Sequence, residues 1–242
     1  MENKIFIYEN AHILAEKLAT IFYKTLKKHK IYTIAFSGGK TPAFFFNALT
    51  NPYYKKYHNI WKNIHIFQVD ERMVPPNHPE SNFKMIKELL LDKINIPQKN
   101  VHRIHGEHNP EIEVIRYSEE IKQFVTFEND NPIFDWIFLG IGEDGHTASI
   151  FQNRLDLIKG EKLCEITLHP NTSQIRITIT GKVIFNAKRV TFIVTGPEKS
   201  DVVKNILQHK PEADKYPASY FCARNGVTEW FLDKEAASKI NL

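Results

Sequence analysis

Apolar runs alternating with stretches of helical period predict an α/β fold, a Rossmann-like and largely parallel sheet with helices on both faces. Three segments rich in glycine or charge, 37–41, 70–72 and 142–146, each come straight after an apolar run. Ligands of open parallel sheets bind outside the carboxyl ends of the strands, so the placement fits that fold. No Gly/Ser-rich linker, low-complexity run or internal repeat divides the 242 residues, 42% of which are hydrophobic. One domain spanning 1–242 with a substantial core is therefore expected.

The elements follow in order. Residues 11–28 have helical period, and 32–36 (Tyr-Thr-Ile-Ala-Phe) read as a buried strand. The next segment, Ser37-Gly38-Gly39-Lys40-Thr41-Pro42, is a tight loop opening a helix over 43–50. Proline is tolerated in a first helical turn, where its missing N–H would be unpaired anyway. A strand over 64–69 runs into Asp70-Glu71-Arg72, and a helix over 82–94 follows Glu80-Ser81-Asn82, whose short polar side chains suit an N-cap. Helices over 111–127 and 200–208 and strands over 136–139, 175–180, 190–194 and 230–232 complete the alternation.

Composition excludes several classes. The net charge of +4 and pI near 8.8 come from scattered lysines, with modest clusters at 24–30 and 55–62, and no recognised nucleic-acid motif accompanies them. A basic balance instead favours an anionic small substrate. Two cysteines, Cys164 and Cys222, make a disulfide framework or cysteine zinc site improbable. With no signal-peptide core at the N-terminus and no run approaching 18 apolar residues, a cytoplasmic protein without membrane association is expected.

The chemistry concentrates in Phe138-Leu-Gly-Ile-Gly-Glu-Asp-Gly-His-Thr-Ala-Ser-Ile150, an apolar strand running into a glycine-rich turn that carries Asp144 and His146. A histidine titrates near neutral pH, so one held by an acid can take a proton from water or from a substrate carbon. Gly140, Gly142 and Gly145 also satisfy G-x-G-x-x-G, but no apolar strand ends at an acid about 20 residues on, and an acid and a histidine displace the small residues a pyrophosphate needs. The 37–41 loop reads as a phosphate cradle, because small residues before a helix let backbone N–H groups converge on an anion. It ends like a P-loop, yet the first glycine of that motif would fall at Ile34. Arg72 suits either a phosphate or a structural salt bridge.

In order and with compatible spacing, Ser37-Gly-Gly-Lys-Thr-Pro42, Val69-Asp-Glu-Arg72, Glu80-Ser-Asn82, Leu139-Gly-Ile-Gly-Glu-Asp-Gly-His-Thr-Ala-Ser-Ile-Phe151, Arg176-Ile-Thr178 and Gly196-Pro-Glu-Lys199 resemble the 6-phosphogluconolactonase family over nearly the whole chain. The resemblance implies the fold shared with glucosamine-6-phosphate deaminases and ribose-5-phosphate isomerases. It also implies hydrolysis of 6-phospho-D-glucono-1,5-lactone in the oxidative pentose phosphate pathway, with no metal or organic cofactor. On that basis His146 is the base that activates water and Asp144 supports its imidazole. Ser37, Gly38, Gly39, Lys40 and Thr41, with Arg72 and Lys199, hold the phosphate. Asp70, Gly142 and Arg176 are further substrate contacts. A monomer acting on a small phosphosugar lactone is expected, in possible functional association with glucose-6-phosphate dehydrogenase.

Rival readings are a deaminase or isomerase of the same fold and a non-catalytic sugar-phosphate sensor. Deaminases of the group carry a glutamate five residues after the histidine, where this chain has Phe151. Three departures stand out: Lys40 where serine or arginine is common, Gln152 for a proline, which puts the loop's rigidity in question, and Tyr216 for a leucine, expected to change packing only. His102, His105 and His108 recur every third residue, but no cysteine or carboxylate set completes a recognisable cluster in the sequence, so no metal is expected there. Phe44, Phe45 and Phe46 are expected in the core. No G-x-S-x-G elbow offers a nucleophilic serine.

Overall fold

The strands predicted over 32–36, 136–139 and 190–194 carry mostly apolar residues on both sides, and in the computed structural model both sides are buried. The structure describes residues 4–26 and 30–240. In chain order the elements are β1 (Lys4–Tyr8), α1 (Ala11–Thr25), β2 (Tyr32–Phe36), α2 (Lys40–Leu49), β3 (Ile64–Gln68), β4 (Asp70–Arg72), α3 (Asn82–Leu89), β5 (Val101–His102), α4 (Pro110–Phe124) and β6 (Thr126–Glu128). There follow β7 (Asn131–Ile133), β8 (Trp136–Leu139), α5 (Asp156–Lys159), β9 (Cys164–Leu168), β10 (Ile175–Ile179), α6 (Gly181–Phe185), β11 (Arg189–Val194), α7 (Ser200–Leu207) and β12 (Val227–Asp233).

Seven strands form one sheet in the order β1-β12-β11-β8-β2-β3-β5, and every neighbouring pair is parallel. Side chains alternate between its faces with period two. Ile34, Phe36, Trp136 and Phe138 join one buried cluster with α1, α2 and Trp61. Ala35, Ile137 and Leu139 join the other, with residues of α4, α6 and α7. That double burial explains runs such as Trp-Ile-Phe-Leu, in which no polar residue marks an exposed face. Of the three phenylalanines expected in the core, Phe45 and Phe46 are fully buried, whereas Phe44 is only partly buried and packs against the cluster from its edge. The chain winds outward in opposite directions from β2 and β8, and the crevice between their carboxyl ends is the switch point where ligands of such sheets bind.

One strand lies elsewhere than the largely parallel sheet suggested. The expected strand 175–180 forms as β10, one residue shorter, but sits at the centre of a separate antiparallel sheet of order β4-β10-β9. Only residues 169–174 join β9 to β10, too few for the crossover a parallel pair requires. Helix ends also shift. The helix expected over 11–28 ends at Thr25, where Leu26 turns extended, and its expected last residues, 27 and 28, lie outside the described residues. The one expected over 82–94 ends at Leu89, because Leu90 leaves helical geometry and is fully buried. The helix expected over 111–127 ends at Phe124; residues 126–128 instead pair with β7 across Asn129 and Asp130, both at positive φ as a tight hairpin turn requires. Among the described residues no helix is long and apolar enough to cross a membrane.

Candidate active site

The loops leaving β2, β3 and β8 converge on a cavity of about 330 Å3. Ser37, Gly38, Gly39, Lys40, Thr41, Asp70, Arg72, Gly142, His146, Arg176 and Lys199 all line it. Asp144 alone of the predicted site residues does not, and it is bonded to one that does: its Oδ1 lies 2.6 Å from His146 Nδ1 and accepts the His146 backbone N–H at 3.2 Å. A larger groove of about 750 Å3 lies between α4 and β9, lined by residues such as Val114, Val125 and Leu163. It contains none of these groups, and convergent ionisable groups decide for the smaller cavity.

The turn after β8 is built for its pair of side chains. A β-carbon on Gly142 would overlap both His146 Nδ1 and Asp144 Oδ1. Gly145 has φ +79°, a conformation that favours glycine, and the Tyr216 ring packs directly on it. Tyr216 thus packs against the turn that carries Asp144 and His146. Gln152, in place of the expected proline, donates from Nε2 to the Asp144 carbonyl at 2.7 Å and so ties the turn by a hydrogen bond. Burial alone would push the Asp144 carboxyl up, but the hydrogen bond and charge of His146, with backbone N–H groups, outweigh it and hold the carboxyl below its ordinary value. A neutral imidazole facing that carboxylate carries its proton on Nδ1, leaving Nε2 free to accept one. Phe151 packs on the His146 ring at 4.8 Å and, fully buried, excludes water from one side of it.

Opposite stands the loop after β2. Gly39 caps α2 with φ +111° and no side-chain hydrogen bond, so the first N–H groups of α2 have no capping acceptor. Gly38 packs so closely on Asn82 that a β-carbon would overlap its side-chain amide. Ser37 Oγ and Arg72 Nε are buried without a protein hydrogen-bond partner among the described residues. Thr41 and Thr195 hydroxyls meet at 2.8 Å, and Lys199 Nζ lies 3.9 Å from Glu143.

The third wall comes from β4 and β10. Glu71 is buried and accepts hydrogen bonds from Gln68 Nε2, Arg72 N, Ser81 Oγ, Asn82 N and Phe83 N, at 2.7 to 3.1 Å. Its carboxylate thereby sits on the N-terminus of α3, where a negative charge is favoured. Burial pushes its carboxyl up, with those donors opposing. Glu71 binds the Arg72 N–H directly and the backbone of Asn82, which in turn reaches Asp70. Asp70 accepts from Ser149 Oγ at 2.6 Å, and its carbonyl takes the Asn82 amide at 2.9 Å. Arg72 donates to the Glu80 carbonyl at 2.6 Å and forms no ion pair among the described residues, so the salt-bridge alternative is not realised. Arg176 pairs directly opposite Arg72 across the β4–β10 ladder, and it reaches Ser149 Oγ at 3.4 Å. Like charges directly opposite are destabilising unless an anion lies between them.

Asn82 was missed as a site residue. Ser81 is the expected N-cap, accepting from Lys84 N, while the next residue lines the cavity. Glu143 and Glu198 line it too; both lie inside motifs quoted above, but neither carries a spacing that marks it.

Fold and site together are those of an α/β enzyme with a histidine–carboxylate pair beside a cationic pocket. The family model described as glucosamine-6-phosphate isomerases/6-phosphogluconolactonase matches residues 8–230, and the chain belongs to that family. It is 44% identical over 231 residues to the 6-phosphogluconolactonase of Haemophilus influenzae, covering 95% of this chain and 96% of that one. A 6-phosphogluconolactonase of Aggregatibacter actinomycetemcomitans is 41% identical over 230 residues, 95% and 97% of the two chains. Among solved structures, that of devB protein superposes with a TM-score of 0.93 at 37% identity, over 99% and 100% of the two chains. A monomeric glucosamine-6-phosphate deaminase, at 19% identity and TM-score 0.79, shares the fold.

Proposed function

We propose that the chain hydrolyses 6-phospho-D-glucono-1,5-lactone to 6-phospho-D-gluconate, the second step of the oxidative pentose phosphate pathway. The observation that carries the reading is the His146–Asp144 pair bordering the same small cavity as Arg72, Arg176, Lys199 and the start of α2. The lactonase names of relatives at 44% and 41% identity support it.

In this reading the 6-phosphate is held by the 37–41 loop with Arg72 and Lys199, supplying the anion that the facing arginines and the unpartnered Ser37 hydroxyl call for. Anchoring that remote group fixes the lactone carbonyl near the base and turns binding energy into orientation. His146 Nε2 takes a proton from water as the water oxygen attacks the carbonyl carbon. Asp144, kept ionised, steadies the imidazolium. Arg176 or backbone N–H groups of the glycine turn stabilise the oxyanion. The carbon–oxygen bond of the ring then breaks, and the proton on His146 passes to the departing ring oxygen. Phe151 stands where a deaminase would place its glutamate, which favours hydrolysis over amine chemistry. We take 1–242 as one functional domain, a cytoplasmic monomer using neither metal nor organic cofactor in the reaction, on a lactone delivered by glucose-6-phosphate dehydrogenase.

The test is lactone loss with substrate generated in situ, comparing the chain, His146→Ala and a no-enzyme blank. Acceleration over the blank that disappears in His146→Ala with the fold intact is expected. No acceleration by the unmodified chain overturns the reading.

A further inference from the structure

The three histidines of period three do not stay together. His102, on β5, turns inward to His65 at 2.8 Å and Glu120 at 2.7 Å. His105 and His108 form the two ends of a turn, closed by His108 N–H donating to the His105 carbonyl at 3.0 Å. The carboxylate that the sequence did not show comes from the first turns of α4: Glu113, fully buried, presents Oε2 3.4 Å from His108 Nδ1 and 3.9 Å from His105 Nδ1. The three ligand atoms lie within 4.8 Å of one another.

From this geometry we propose that His105, His108 and Glu113 form a binding site for a divalent transition metal of zinc's class, separate from the catalytic cavity, joining the turn after β5 to α4. Two imidazoles and one carboxylate, with positions left for water, are a ligand set zinc accepts. Donors on a tetrahedral zinc, with bonds of about 2.0–2.1 Å, stand about 3.4 Å apart, so the His108–Glu113 separation already fits, and binding requires His105 to rotate toward the other two donors.

Two independent observations point to a ligand. His105 Nδ1 is buried and lacks a protein hydrogen-bond partner among the described residues, although it faces a carboxylate. Glu113, for its part, is held as a metal ligand's carboxylate usually is. Oε1 accepts from Arg116 Nη2 at 2.6 Å and from His105 N at 2.7 Å, and Oε2 accepts from Arg116 Nε at 2.8 Å. Each carboxylate oxygen has two lone-pair sites, so Oε2 keeps one toward the imidazoles. The local charge does not repel a cation. Arg103 and Arg116 are met by Glu107, Glu113 and Glu120, a balance of one negative charge.

None of the three residues lines the catalytic cavity, but the turn packs against its wall: a β-carbon on Gly106, between the histidines, would lie 2.6 Å from the Arg72 carbonyl. A metal here would brace the segment that carries Arg72.

The test uses metal-free protein in a His146→Ala background, so that zinc at the catalytic pair does not count. Zinc binding is followed by equilibrium dialysis, and thermal stability is read with and without zinc. Expected are about one zinc per chain at micromolar free zinc, a zinc-dependent rise in Tm, and a loss of affinity of at least about tenfold, with loss of the Tm rise, in His105→Ala and in His108→Ala. His108 is nearly half exposed, so His108→Ala is expected to fold and keeps the test decisive even where a change at buried Glu113 does not. Unchanged zinc affinity in both histidine variants, or no binding at micromolar zinc, overturns the proposal.

Discussion

Gly142→Ala tests the proposed catalytic role of the His146–Asp144 pair without replacing either member of it. Gly142 does not have positive φ, so alanine can adopt its backbone conformation and the effect is purely steric. The added methyl would stand more than about 1 Å inside the ordinary non-bonded separation of about 3.5–4.0 Å from both His146 Nδ1 and Asp144 Oδ1. Both atoms belong to side chains that are partly exposed and free to swing, so the overlap is relieved by parting the 2.6 Å hydrogen bond, not by moving the sheet. A misplacement of about 1 Å in a catalytic group costs about a hundredfold in rate, about 2.7 kcal/mol in barrier. Stability changes little, because the strain is discharged at the surface.

The assay is steady-state lactone hydrolysis, corrected for the spontaneous rate, beside a thermal melt. The expected result is a kcat about a hundredfold lower, a KM within a few-fold of the unmodified chain and a nearly unchanged Tm. Gly140→Ala is the internal control: it lies two residues earlier on the same cavity wall, yet its β-carbon would meet nothing within 4 Å. Its methyl enters substrate space, so it should raise KM and leave kcat at least about tenfold above that of Gly142→Ala. A Gly142→Ala enzyme with kcat within threefold of the unmodified chain would refute the argument that the 2.6 Å pair sets the rate.

Gln152→Ala removes the 2.7 Å tie to the Asp144 carbonyl; a net hydrogen-bond contribution of about 1 kcal/mol predicts a kcat about fivefold lower, restored by Gln152→Asn only if the shorter amide still reaches. Ser37→Ala should separate binding from stability: removing a buried hydroxyl that has no protein partner leaves Tm unchanged or slightly higher while KM rises severalfold, and a fall in Tm with unchanged KM would make Ser37 structural. The depressed Asp144 carboxyl has a defined acid signature. Its folded pKa lies below the unfolded value, so its contribution to stability is complete above about pH 4–5 and is lost as pH falls through the folded pKa. Tm measured from pH 6 down to pH 3 should therefore show the gap between the unmodified chain and Asp144→Asn closing on the acid side, and a gap that widens there would contradict the assignment.

What the sequence discloses depends on whether a property is local. The turn after β8 is legible because its glycines, Asp144 and His146 are adjacent and their chemistry needs nothing distant. The same holds for the 37–41 loop, and both reach one cavity because β2 and β8 are neighbours at the switch point of the sheet. Pairing partners are not local. The run 175–180 has the composition of any buried strand, and only the short 169–174 connection, which forces an antiparallel return to β9, tells against the main sheet. That misplacement matters for function, since it conceals the Arg72–Arg176 pair: two arginines far apart in sequence become facing neighbours only through the β4–β10 register.

Asn82 shows the same limit from the other side. The segment 80–82 reads as capping chemistry, which Ser81 supplies, yet Asn82 enters the site because buried Glu71 binds the N-terminal N–H groups of α3 and sets that helix against Gly38. The histidine series makes the reason general. A spacing of three is one pattern in the sequence, but its first member lies on a strand and the other two on a turn, so the fold sends His102 to Glu120 and the others to Glu113. Spacing alone therefore fails at 102–108 where it succeeds at 144–146, because in the second case the partner is two residues away and in the first it depends on how α4 packs.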